Sequence, residues 1–298
     1  MTASLRLTSP DGALEADFAP ELNLVCSSVR HRGAEVLGQR DGLGAYRDRG
    51  STLGVPLLHP WANRLSASAY TAAGREVRFD PGSALVTLDA NELPIHGVVP
   101  VALPWTVEEA SPDRLAATLD FRGEALEAIF PFPHVLRTTV TLGDDTLRYV
   151  TTLRPSTEQP VPVAFGWHPY LTVPGAPREE WKIELPVSEH VVLDERSLPT
   201  GRTEPVAERP GPLGDRTFDD GYVSVPDGAT FVVQGGGRRL ALTFERGCPC
   251  AQVYAPAGEA VIAYEPMTAP TDALVTGDRL PVVGPGEAHE AAFSLTVR

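Results

Sequence analysis

Residues 138–153 read TTVTLGDDTLRYVTTL, and this stretch decides the fold class. Thr138-Thr139-Val140-Thr141-Leu142 is a β-branched run and Gly143-Asp144-Asp145 a turn. A second run follows from Thr146 to Leu153, in which polar and apolar side chains alternate. Successive side chains of a strand point to opposite faces. A period of two on both sides of a short polar break therefore predicts a β-hairpin with one buried face. Thr230-Phe231-Val232-Val233 and Leu240-Ala241-Leu242-Thr243-Phe244 flank Gly235-Gly236-Gly237 in the same manner. Ala291 to Val297 reads as a closing strand. Met1 to Leu7, leading into Ser9-Pro10-Asp11-Gly12, reads as an opening strand and turn rather than as the basic start and apolar stretch of a signal peptide.

The same grammar runs through the chain. Its 27 glycines and 29 prolines are spread evenly, separating short β-branched runs as turns separate strands. No window sustains the i, i+3, i+4, i+7 apolar spacing of an amphipathic helix, and only short helical turns are expected, near Arg122–Ala128 and Asp272–Val275. There is no fixed-period repeat, which disfavours a propeller or solenoid. No composition shift marks a linker, and Pro205–Gly214 is expected to be a surface loop. The expectation is an all-β protein, with one large antiparallel β domain spanning residues 1–298, a length that single large β domains often reach.

Composition excludes several functions. With 42% hydrophobic residues and a mean hydropathy of -0.09, the chain can bury a sizeable core, and nowhere do about 18 apolar residues run together as a membrane span needs. A formal charge of -14, from 39 acids against 25 bases, lacks the basic footprint that neutralises nucleic-acid phosphates. It also disfavours a highly anionic substrate, although a local arginine pocket can override the average. Cys26, Cys248 and Cys250 make no disulfide framework, and Cys248-Pro249-Cys250 is not a C-x-x-C pair. Buried, reduced cysteines in a cytoplasmic protein are expected, and no metal site.

The familiar catalytic signatures are missing. Neither phosphate-binding glycine motif occurs, the triple glycine lies between two strand patterns, and there is no G-x-S-x-G elbow and no H-E-x-x-H. What remains is a set of polar residues at the ends of apolar runs, beside proline or glycine. The segments are His59-Pro60-Trp61-Ala62-Asn63-Arg64-Leu65, Leu93-Pro94-Ile95-His96-Gly97, Phe165-Gly166-Trp167-His168-Pro169-Tyr170 and Tyr264-Glu265-Pro266-Met267-Thr268-Ala269-Pro270-Thr271-Asp272. His168 and Glu265 both precede proline, which pushes a residue to extended geometry, so each is expected where a strand leaves the sheet and can face a cleft. A lone histidine beside aromatics is more often a satisfied core or rim residue. Asn63-Arg64 alone could be an ordinary turn. Glu265, however, follows the apolar Ala260-Val261-Ile262-Ala263-Tyr264 and must be partnered or face a cavity, because burying an isolated carboxylate is too costly.

Taken together, Asn63-Arg64, Ile95-His96-Gly97, Trp167-His168-Pro169-Tyr170, Phe218-Asp219, Gln252-Val253-Tyr254 and Glu265-Pro266 stand in the order seen in aldose 1-epimerases, the galactose mutarotases. The Glu265 to Leu274 run and the His-Pro-Tyr block most resemble the bacterial aldose-epimerase-like branch, and the resemblance spans roughly Gly54 to Leu274. It implies a β-supersandwich with an open cleft for a pyranose. By position it implies His168 as general acid and Glu265 as general base. Arg64, His96, Asp219 and Gln252, with Asn63, are implied to hold the sugar hydroxyls and ring oxygen. The chain departs from the pattern at His59-Pro60-Trp61-Ala62, where Gly-Arg is usual, and at Asp220-Gly221, where a histidine follows the aspartate. Both departures fall among substrate contacts and leave the acid/base pair intact.

The chemistry suits these residue types on its own terms. Interconverting anomers requires removing the C1 hydroxyl proton while protonating the ring oxygen, rotating the freed aldehyde, and reclosing. A carboxylate and an imidazolium on opposite sides of the ring atoms do this with neither metal nor cofactor, each transfer contributing about two to four orders of magnitude. The expectation is thus an ionised Glu265 and a protonated His168 at rest, with Arg64 helping to keep Glu265 charged. Trp61 and Trp167 are either sugar-facing or core. Three alternatives stay open. A hexose-phosphate 1-epimerase would need basic residues such as Arg30, Arg32, Arg40 or Arg47, which otherwise read as solvated arginines. A non-catalytic sugar-binding domain needs no acid/base pair. A glycoside hydrolase needs a second marked carboxylate, which is not seen. A monomer or weak homodimer with a small sugar as its partner is expected.

Overall fold

The structure, a computed structural model, describes residues 4–206 and 211–298. The hairpin at 138–153 forms as strands His134–Leu142 and Thr146–Pro155, paired from His134 with Pro155 to Leu142 with Leu147. Burial alternates along His134–Leu142, as the period of two requires. Thr138 and Thr151 meet inside this pair with hydroxyl oxygens 2.8 Å apart. The second hairpin pairs Ala229–Gly235 with Arg238–Arg246. Its turn is Gly236-Gly237, with φ of 54° and 77°, the left-handed values that glycine adopts without steric cost.

Both hairpins belong to one nine-stranded antiparallel sheet. Its order is Thr106–Ser111, Arg114–Phe121, His134–Leu142, Thr146–Pro155, His289–Val297, Arg238–Arg246, Ala229–Gly235, Lys182–Glu184 and Gly211–Pro212. A second sheet runs Pro199–Pro205, Glu189–Leu193, Phe218–Val223, Cys250–Ala255, Ile262–Met267, Gly166–Trp167 and Leu57–Leu58, with Tyr170–Leu171 also paired to Ile262–Met267. Leu5–Thr8, Leu14–Ala19, Val25–His31 and Ala34–Glu35 form a third, four-stranded sheet.

The two large sheets pack through aromatic side chains. The Tyr264 ring lies 5.4 Å from Phe231 and its hydroxyl donates to the Val232 carbonyl at 2.7 Å, while Trp167 lies 4.9 Å from Phe293. One apolar cluster runs from Leu7 to Val297 and contains Trp61, Trp167 and Trp181. Removing one such ring, for example Phe231, costs about 3–5 kcal/mol by lost burial and the cavity left behind. Trp61 and Trp167 are 1% and 3% exposed, which settles them as core residues. The three cysteines are buried free thiols, with burial pushing Cys250 up to about 12.

Three expectations need correction. Gly42–Arg49 is a helix of eight residues that the apolar pattern does not reveal, because only Ala45 and Tyr46 are buried and Gly42 and Gly44 read as breakers. Its end is fixed by Gly50 in the left-handed region, whose N–H reaches the Tyr46 carbonyl at 3.0 Å. The Pro205–Gly214 stretch is not simply a loop: Pro205 closes a strand and Gly211–Pro212 pairs with Lys182–Ile183, while residues 207–210 lie outside the described residues. The third concerns Glu265, which lies within strand Ile262–Met267 rather than at its exit. The expected turns appear as Glu124–Glu127 and Ala273–Thr276. No helix among the described residues is long and apolar enough to cross a membrane.

Candidate active site

Period-two alternation explains how Glu265 comes to face a cavity. Along Ile262–Met267, Tyr264 points between the sheets and Glu265 to the opposite face. On one flank Glu265 pairs with Gln252, and two residues away Ala263 pairs with Tyr254, which in turn pairs with Asp219. On the other flank Gly166 pairs with Met267 and Tyr170 with Ala263, a register that sets His168 opposite Glu265. Pro169 and Pro266 lie at this point, and proline donates no ladder hydrogen bond. The ladder opens there, and the His168 N–H reaches the Pro56 carbonyl instead, at 3.1 Å.

The opening is floored by the two titratable groups. His168 Nε2 lies 3.1 Å from Glu265 Oε1, and the two side chains are 5% and 1% exposed. They are in direct contact, not on opposite sides of a space the width of a ring. Around them is a cavity of about 180 Å³, lined by Arg40, Thr52, Asn63, Arg64, Ile95, His96, Tyr170, Asp219 and Tyr254 as well as the pair. That is smaller than the roughly 300 Å³ at which pockets for drug-sized ligands begin, and it suits a single small polar ring. Three buried polar atoms here have no hydrogen-bond partner, namely His96 Nδ1, His168 Nδ1 and Glu265 Oε2. Buried polar groups are normally satisfied, so their concentration at one cavity marks a place that a polar ligand completes.

The loop residues reach the cavity through unusual backbone geometry. Asn63 and His96 have φ of 57° and 63°, and the His96 N–H donates to the Asn63 carbonyl at 2.9 Å. Asparagine tolerates the left-handed region, whereas a histidine there is held by its surroundings. Gly97 supplies the hold: a Cβ on it would lie 2.0 Å from the His59 carbonyl oxygen, so only glycine allows the close approach that presents His96. Arg64 is fixed by Asp89 at 2.7 Å and lies 3.5 Å from Asp219. Gln252 does not line the cavity; it lies behind it and donates to Asp219 Oδ1 at 2.7 Å.

Burial works against the expected protonation. Burial, with Asp219 adding to it, pushes the Glu265 carboxyl well above its usual range against the pull of Arg64. Burial, with His96 and Arg40 adding to it, pulls His168 well below the usual imidazole value. Burial thus favours a carboxylic acid beside a neutral imidazole over the ion pair. This form and the ion pair hold the same single proton and differ by its transfer across 3.1 Å. Burial, with Arg64 adding to it, also lowers His96 to about 3, so His96 is a neutral donor or acceptor.

Sequence reasoning misses four polar cavity residues, Arg40, Thr52, Tyr170 and Tyr254, besides the apolar Ile95. Arg40 is not simply a solvated arginine, since Nη1 donates to the Tyr170 hydroxyl at 3.0 Å and Nε pairs with Glu259 at 3.1 Å. Tyr170 and Tyr254 stand inside the quoted motifs, and the Tyr170–Ala263–Tyr254–Asp219 row of cross-strand pairs would have found them. Arg30 and Arg47 pair elsewhere, with Glu15 and Asp17 and with Asp48. Among the described residues no cluster of three or more His, Cys, Asp or Glu side chains could hold a metal ion.

The packed antiparallel sheets have the architecture of the galactose mutarotase-like folds. The family model for aldose 1-epimerase matches residues 25–296, and the chain belongs to that family. Solved structures show the same fold. A galactose mutarotase-like protein from Clostridium acetobutylicum superposes with a TM-score of 0.84 at 17% identity, covering 96% of this chain and 93% of that one. The aldose epimerase homologue of C. elegans gives 0.81 at 18% identity, covering 100% and 99%. A galactose 1-epimerase from Lactobacillus acidophilus gives 0.77 at 13% identity, covering 100% and 99%.

Proposed function

We propose that the chain acts as one aldose 1-epimerase domain, interconverting the α and β anomers of a free hexose with His168 as acid and Glu265 as base. The observation that carries this reading is the 3.1 Å contact between the two groups on the floor of a polar cavity. The C1 hydroxyl and the ring oxygen share one carbon, so groups this close together can reach both from one side. The sugar oxygens replace the contact, the proton moves from Glu265 to His168, and the roles are set: the carboxylate takes the C1 proton as the imidazolium protonates the ring oxygen. The ring opens, the aldehyde rotates about C1–C2, and the reverse transfers close it. Asn63, Arg64, His96 and Asp219 hold hydroxyls, and Gln252 steadies Asp219. The reading keeps a monomer or weak homodimer with a small sugar as its partner.

Charge pairing supports an unphosphorylated aldose. Both guanidiniums at the cavity are already matched, Arg64 by Asp89 and Asp219 and Arg40 by Glu259. A phosphate would have to displace one of these carboxylates. Polarimetry on freshly dissolved α-D-glucose and α-D-galactose tests the reading. Glu265→Gln and His168→Asn should each slow the catalysed change by 100-fold or more, the order of magnitude of one lost proton transfer. Unchanged acceleration in both variants would sink the mechanism, and strong competition by glucose 6-phosphate would favour a phosphorylated substrate.

A further inference from the structure

We propose that Tyr170 is the positioning residue of the acid/base pair, setting the plane of the His168 imidazole and which of its nitrogens carries the proton, through a hydroxyl held by Thr52 and Arg40. The proposal rests on the acid/base reading of His168 given above.

Tyr170 cannot swing. It is 1% exposed, its N–H donates to the Gly54 carbonyl at 2.8 Å, and its own carbonyl accepts from Gly38 at 2.9 Å. Its ring lies against His168 with centroids 4.2 Å apart and planes 16° from parallel. Contact of that kind fixes the plane of the imidazole and so the direction in which Nε2 meets Glu265. The phenol oxygen is 3.2 Å from Nε2, 3.0 Å from Arg40 Nη1 and 2.7 Å from Thr52 Oγ1. Because the rings are nearly parallel, that oxygen sits over the imidazole face. The in-plane direction of Nε2 stays open to Glu265 and to a sugar oxygen.

The surroundings otherwise work against a charged imidazole. Burial, His96 and Arg40 all disfavour it, whereas an electron-rich ring face and a phenol oxygen beside Nε2 favour it. Arg40 donates to that oxygen, which turns a nearby cation into part of the scaffold. Core Tyr264 gives its hydroxyl one carbonyl partner, whereas the Tyr170 hydroxyl lies within reach of Thr52, Arg40 and His168 together. A tyrosine serving only as a sugar contact would not lie flat on the histidine.

The test is Tyr170→Phe, which keeps the ring and removes the oxygen. Imidazole ¹⁵N NMR without sugar reads the protonated nitrogen of His168, its signals identified by their loss in His168→Asn. Anomer exchange across pH reads kcat and KM. The expected result is a single His168 tautomer in the parent and a mixture in Tyr170→Phe. With it, kcat falls about tenfold, KM stays within twofold and the acidic limb of the pH profile moves. Identical ¹⁵N signals in parent and variant overturn the proposal, as does a raised KM with unchanged kcat. A changed tautomer in a protein inert toward every aldose tried upholds the positioning role while removing the proposed function. Should Tyr170→Phe fail to fold, Thr52→Val loosens the same oxygen from outside the stack. A smaller shift in the same direction upholds the proposal there, and unchanged signals overturn it.

Discussion

At the scale of single residues, the proposed function divides the cavity into groups that do chemistry and groups that hold them. Arg64 belongs to both. Burial alone would raise the Asp89 carboxyl, but hydrogen bonds from the Leu93 N–H, Arg64 and the Asn91 N–H hold it below its usual value. Arg64→Met would take the partner from Asp89 Oδ2, while the Leu93 and Asn91 N–H groups keep hold of Oδ1. The expected outcome is a loss on the order of 2 kcal/mol in urea unfolding, together with weakened sugar binding. A midpoint equal to the parent's would show that Asp89 finds another partner. That Glu265 meets a cavity was legible in the sequence, because a carboxyl after an apolar run has no easy structural role, whereas His168 was legible only through the combination of motifs. Their contact was not legible, since it follows from a cross-strand register that no local motif records.

At the scale of elements, the hairpins at 138–153 and 229–246 were readable because alternation and turn chemistry agree within one window. The helix Gly42–Arg49 was not, because its glycines and charged residues give no apolar stripe and its place depends on Tyr46 finding a distant core. The interrupted ladder at Pro169 and Pro266 lies between these cases. Each proline is visible in the sequence, yet only pairing brings them to one spot. The loop carrying His96 depends on long-range contact as well. Gly97→Ala would drive a methyl into the His59 carbonyl. We expect at least a tenfold loss of kcat/KM with a lowered melting temperature, and a crystal structure should show His96 displaced. An unmoved His96 with full activity would contradict this account of the loop.

At the scale of the whole molecule, the sheets enclose titratable groups that do not line the cavity. His59 and His134 are 1% and 0% exposed, with Nε2 atoms 2.8 Å apart, and His134 Nδ1 donates to the Phe132 carbonyl at 2.6 Å. Burial lowers His134 to about 4 from 6.5, and burial followed by the His134 charge lowers His59 well below its usual value. A lowered imidazole binds fewer protons folded than unfolded between the two values. Stability must therefore rise with pH across roughly 4 to 6.5 and be lost on acidification through that window. His134 alone accounts for about 3 kcal/mol there. Urea midpoints measured from pH 4 to 7 should climb in the parent and climb less in a His59→Leu/His134→Leu double variant. Equal slopes would remove the pair as the source.

The strand Ile262–Met267 links these scales. It is paired on both flanks, and Tyr264 bolts its reverse face to the opposite sheet through the Val232 carbonyl. A carboxyl mounted there has little freedom to follow a new substrate. Asp219, at 42% side-chain exposure, and the half-buried Tyr254 sit at the mouth with far fewer restraints. On the proposed function, the molecule thus separates a fixed floor from a revisable rim: the rim could be rewritten for another sugar while the pair beneath it stays as it is.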